Sequence, residues 1–87
     1  MDYRRRLYPN KLRMFRKSAG YQQKQVAKLL GFNSNVSVWA WERAIKLPNG
    51  KNLIKLCILY NAQIHELYPD YYNLIRSELY KDYDSLQ

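Results

Sequence analysis

Two glycines, Gly20 and Gly31, each close a short amphipathic segment in the run "LRMFRKSAGYQQKQVAKLLGF". Glycine enters the left-handed conformation without a steric penalty, so each is a natural place for a helix to stop. Leu12, Phe15 and Ala19 fall at helical spacing before the first glycine. Val26, Ala27, Leu29 and Leu30 do the same before the second. Helices this short are marginal on their own and need partners to bury their apolar faces. The chain must therefore be a cluster of short helices.

The rest of the sequence supplies those partners. Asn33 or Ser34 offers an N-cap for a third helix, which should end before Pro48. Asn49 can cap a fourth carrying Leu53, Leu56, Cys57 and Tyr60, with Asn61 as its left-handed stop. A fifth is expected over Gln63–Tyr68, ending at Pro69, and a sixth from Asp70 to Tyr83. The segment "NVSVWAW" alternates as a strand would, but it has no hairpin partner. The expected fold is all-α, with five helices and a C-terminal extra helix. Residues 1–9 are expected to be a basic flexible arm, 10–69 the folded domain, and 70–87 a C-terminal helix and tail. Eighty-seven residues suit one small domain.

Charge is unevenly placed. Of the net +8, residues 1–25 contribute +7 and residues 26–60 contribute +4, whereas residues 61–87 contribute −3. A basic front and an acidic end point to a polyanion-binding face and a separate surface for another task. No apolar run approaches the roughly 18 residues of a membrane helix, so no membrane partner is expected. No hydrophobic signal region follows the basic N-terminus, and the chain is expected to be cytoplasmic and nucleoid-associated, in a bacterial or phage-like setting.

Catalysis finds little support. The one histidine, His65, stands beside Glu66, and Cys57 is alone, best read as a small apolar residue. There is no glycine-rich phosphate loop, no Cys/His metal spacing and no Ser-His-Asp set. Neither an enzyme nor a metal, cofactor or small-molecule ligand is expected.

The tryptophans are more informative. In "VWAWER", Trp39 and Trp41 stand two apart and cannot share one face of a helix. Two helices of about nine residues, joined by a glycine turn, describe a helix-turn-helix. With "VSVWAWERAIKLP", "NLIKL" and "AQIHELY" in this order, residues 11–68 resemble the phage-repressor and Cro type of helix-turn-helix, the xenobiotic-response-element family. The resemblance implies a repressor-like DNA-binding domain, and it makes Val38 and Trp41 core residues of the third helix. Trp39 is then turned about 200° from Trp41, onto the exposed side. It also implies that Arg16, four before Gly20, and Glu42, just after Trp41, form a structural pair. Gln23 stands where the family sets a glutamine against phosphate.

In such a domain the third helix, about residues 34–43, looks into the major groove. The base-reading residues are then Ser34, Asn35, Val36, Ser37, Trp39 and Ala40. Asn35 can pair bidentately with adenine, and Val36 or Ala40 can meet a thymine methyl. Arg43 and Lys46 follow the helix where the family runs beside the DNA backbone. Lys11, Arg13, Lys17 and Lys24 add phosphate contacts from the first two helices, and Arg4, Arg5 and Arg6 form a basic arm. The sequence departs from the family in three places. Gln22 replaces a capping Ser or Thr, "GFNSN" is one residue longer than the commonest turn, and Ala40 replaces a long polar residue. The expected function is sequence-specific binding of double-stranded DNA by a repressor-like transcriptional regulator. The alternative is a protein-interaction scaffold that keeps the fold, such as an antitoxin or anti-repressor. Tyr71, Ile75 and Leu79, with Tyr72 and Tyr83 beside them, make an apolar stripe that either forms a homodimer through residues 70–83 or folds back over helices one and five of its own chain.

Overall fold

The computed structural model describes residues 7–81 and Tyr83. Six helices follow one another: α1 (Leu12–Ser18), α2 (Gln23–Leu29), α3 (Val36–Glu42), α4 (Gly50–Tyr60), α5 (Ile64–Leu67) and α6 (Pro69–Lys81). The described residues contain no strand, and the fold is all-α as expected. None of these helices is long and apolar enough to cross a membrane. Arg4, Arg5 and Arg6 lie outside the described residues.

The stops are where the sequence placed them. Gly20, Gly31 and Asn61 all have positive φ, at 86°, 88° and 48°. Asn49 caps α4 by accepting the Asn52 N–H at 2.9 Å. Gln22 is the N-cap of α2, so its departure from Ser or Thr does not move the helix start. Instead, Gln25 Oε1 accepts the Gln22 N–H at 2.8 Å. The fifth helix stops before Pro69 as expected, and Pro69 itself opens α6, at the first position where a missing N–H costs nothing.

The third helix differs from expectation. It begins at Val36 with Asn35 as its N-cap, later than a cap at Asn33 or Ser34 would give. Phe32 is the cause. Its N–H bonds to the Ala27 carbonyl at 2.9 Å, and its ring packs edge-on against Trp41 at 5.9 Å between centroids. The chain thus turns inward after Gly31, and residues 33–35 are spent returning to the surface.

The core gathers Leu12, Val26, Val38, Trp41, Leu56 and Leu67 with their neighbours, drawing on α1 to α5. Each such side chain removed from water contributes about 1.5–3 kcal/mol before entropy is counted. Asn10 stitches the edge. Its Oδ1 accepts the Leu12 N–H at 3.0 Å, and its Nδ2 donates to the Trp41 carbonyl at 2.7 Å. That fixes the start of α1 against α3.

The end of the expected flexible arm is held. The N–H groups of Leu7 and Tyr8 both donate to the Ala44 carbonyl, at 3.0 and 3.1 Å, and the Tyr8 ring meets Tyr71 edge-on at 5.2 Å. Tyr71 therefore packs within its own chain and is lost to the outward stripe. Beyond it α6 carries no buried residue.

Candidate nucleic-acid interface

On α3, a helical wheel sets Val38 and Trp41 about 60° apart and so fixes the inward direction. Val36 then points almost directly away from the core, and it is 66% exposed. Trp39 and Ala40 lie at equal angles on either flank, so the wheel alone cannot separate them. The structure does: Trp39 is 43% exposed, whereas Ala40 is 6% exposed. The chain after α3 folds over the Ala40 flank, where the Ile45 and Lys46 N–H groups both reach the Ala40 carbonyl. Ala40 is therefore removed from the base-reading set. Ser37 is half-buried on the same side, while Ser34 and Asn35 are exposed at the start of the helix.

A polar cleft of about 580 Å³ opens beside this face, lined by Arg13, Arg16, Gln23, Trp39, Glu42 and Arg43. At its base Arg16 and Glu42 form a bidentate pair, Nε to Oε2 at 2.7 Å and Nη2 to Oε1 at 3.1 Å. Their side chains are only 8% and 4% exposed. Arg16 Nη1 also donates to the Tyr21 carbonyl at 2.9 Å, tying the first turn to the pair. The bond to Glu42 raises the Arg16 pKa, against the opposite pull of burial. Burial, with the Glu42 charge nearby, pushes the Tyr60 hydroxyl well above its ordinary value. The expected Arg16–Glu42 pair is present, and it clamps α1 to α3.

Gln23 is placed differently from a free phosphate donor. Its Nε2 donates to Glu42 Oε1 at 3.0 Å, and its Oε1 accepts from Asn35 Nδ2 at 3.0 Å. Only one of its amide hydrogens remains for DNA. Arg43, the C-cap of α3, carries its guanidinium carbon 5.3 Å from the centre of the Trp39 ring. Such stacking holds the charge beside the outward face of α3. Lys11, Arg13 and Lys17 share a shallow groove along α1 with Asn10 and Met14. Arg13 belongs to both depressions and so joins the α1 cations to the cleft. Lys24 and Lys46 are exposed but line neither depression.

Two features had no sequence signal. Ala44 is a buried non-glycine residue at φ 64°, and its carbonyl anchors Leu7 and Tyr8 beside the end of α3. The amide link between Gln23 and Asn35 joins residues twelve apart, and nothing in either residue type announces it.

A short helix packed through a glycine turn against a second, whose outward face is bordered by arginines, defines a helix-turn-helix DNA-binding domain. The chain belongs to the helix-turn-helix family of the phage-repressor and Cro type, whose model matches residues 12–67. No curated protein and no solved structure matches it significantly.

Proposed function

We propose that this protein is a sequence-specific DNA-binding transcriptional regulator that lays α3 in the major groove. The observation that carries this reading is the outward face of α3. Asn35, Val36 and Trp39 are exposed side by side next to the arginine-bordered cleft, and the core needs none of them. Asn35 and Val36, at the N-terminal end of the helix, read base edges, as is usual for a recognition helix. Ser34 and Ser37 flank them, and Trp39 packs on thymine methyl or sugar. Arg43, Arg13, Lys46, Lys11, Lys17 and Lys24 neutralise phosphates, helped by the remaining N–H of Gln23. Leu7 and Tyr8 are anchored at Ala44, just past the C-terminal end of α3.

These roles separate cleanly in binding measurements. Asn35→Ala is expected to lose about 1–3 kcal/mol on the preferred site and to relax preference at one base pair. Arg43→Ala should weaken binding to all duplexes alike and make the slope of log K against log salt shallower by about one. Equal losses on preferred and random DNA for Asn35→Ala would remove it from base reading.

The second element of the proposal is a two-fold dimer through α6. Leu74, Ile75, Leu79 and Tyr80 are all exposed on that helix, and next to it lies an apolar groove of about 200 Å³ that includes Leu47, Leu53, Ile64 and Tyr72. A dimer would bring two recognition helices to half-sites about 34 Å apart, one DNA turn. The variant Ile75→Glu/Leu79→Glu alters only exposed positions and so should keep the melting temperature. In analytical ultracentrifugation it should run as a monomer where the unaltered protein runs as a dimer. An unaltered protein that sediments as a monomer at every concentration, and binds one half-site as well as two, would contradict the dimer.

A further inference from the structure

Leu7 and Tyr8 bridge the two helices on which the dimer depends, α3 and α6. Both N–H groups donate to the Ala44 carbonyl, and Ala44 directly follows Arg43, the C-cap of α3. The Tyr8 ring then stands edge-on to Tyr71, in the first turn of α6, at 5.2 Å between centroids. We propose that Tyr8 is a positioning residue: it fixes the direction of α6 relative to α3, and so sets the half-site spacing that the dimer accepts. The inference rests on the reading of DNA by α3 and on the dimer through α6, and adds what governs the geometry between them.

Little else holds α6, which carries no buried residue of its own. Its other first-turn contacts come from the chain just before it. The Tyr72 N–H donates to the Tyr68 carbonyl at 2.8 Å, Tyr71 meets Tyr68 at 6.5 Å, and Tyr72 meets His65 at 5.8 Å. These tie α6 to α5, not to the recognition helix. Leu47, also from the chain after α3, lines the groove beside Tyr71 and Ile75 but stays 37% exposed. Tyr8 is half-buried, and its backbone is pinned beside the end of α3. An edge-to-face ring contact is directional, so it constrains tilt as well as distance. Tyr71, Ile75 and Leu79 follow at four-residue steps on one face of α6. Tyr8 takes that face in the first turn and leaves Ile75 and Leu79 exposed. The chain's own contact thus fixes the base of the stripe on which the second copy rests.

The size of the lever makes this contact decisive. Half-sites one DNA turn apart put each α3 about 17 Å from the two-fold axis. A tilt of about 10° in α6 then moves each recognition helix by about 3 Å, close to the rise of a base pair. An unpinned α6 would accept neighbouring spacings, whereas a pinned one selects a single spacing.

The test uses duplexes carrying two preferred half-sites whose separation is varied one base pair at a time around one DNA turn. The quantity read is the ratio of Kd one base pair off the best spacing to Kd at the best spacing. The unaltered protein should give roughly 10-fold or more, the scale of deforming DNA to make up the difference. Tyr8→Ala should bring the ratio toward unity, with Kd on a single half-site and sedimentation as a dimer unchanged. Tyr8→Phe keeps the ring edge and should keep the ratio. Should Tyr8→Ala fail to fold, Tyr8→Leu, which fills the space without an aromatic edge, is read in the same way. A folded, dimeric variant with an unchanged ratio, or with affinity lost evenly on single and paired half-sites, would overturn the positioning role and leave the dimer standing. A variant that sediments as a monomer would overturn it too, since Tyr8 would then support assembly itself rather than its geometry. An unaltered protein that binds paired half-sites no better than one would overturn the dimer and this role together.

Discussion

Glu42→Ala should destabilise the domain by about 3 kcal/mol or more, and Arg16→Ala by a similar amount, because each strands a buried charge. A domain of this size holds a total stability of only roughly 5–10 kcal/mol, so either loss removes a large share of it. The pair is not thereby a large net source of stability. Much of the loss is the cost of leaving one charge dry and unpaired. For that reason the double variant should lose less than the two single losses together, with a coupling of about 1 kcal/mol or more. Urea unfolding of the four proteins measures this directly. Additive losses would place both residues on the solvated surface, contrary to side chains that are 8% and 4% exposed.

The two tryptophans give the second large contrast. Trp41 is buried against Phe32 and Val38 in the core, and Trp41→Ala should cost about 3–5 kcal/mol through lost burial and the cavity left behind. Trp39→Ala should change stability by less than about 1 kcal/mol, the scale of its stacking with Arg43. Its effect belongs to DNA binding instead. Thermal unfolding and duplex titration of the same two variants should therefore rank them in opposite orders. A Trp39→Ala protein as unstable as Trp41→Ala would mean that the exposed tryptophan supports the fold.

The parts of this architecture legible in the sequence are those set by local rules. Gly20, Gly31 and Asn61 announced left-handed stops because few other residues enter that conformation cheaply, and Asn49 announced a cap. The 3.6-residue period put Trp39 and Trp41 on different faces, and the family resemblance chose Trp41 for the core. The Arg16–Glu42 pair came from family resemblance, since no local rule joins residues 26 apart. What was not legible depends on tertiary packing. The start of α3 moved because Phe32 turns into the core. Ala40 and Trp39 are equivalent on a helical wheel, and only the chain that follows α3 decides which is covered. Gln23 looked like a free amide and is engaged at both ends. Tyr71 looked like part of an outward stripe until Tyr8, anchored at Ala44, was found against it. Each of these differences changes the site without changing the fold.

Selection of bound duplexes from a random library puts the proposed reading of DNA sequence by the outward face of α3 to the test. The selected duplex and an unselected one are then titrated at several salt concentrations. The protein should enrich a defined motif and bind it at least about 10³-fold more tightly than random duplex at physiological salt. Asn35→Ala should enrich a motif degenerate at one position. If no motif emerges, and selected and random duplexes bind equally with the same salt dependence, the attraction is only that of a basic protein for a polyanion. The fold would then be serving as a protein-interaction scaffold.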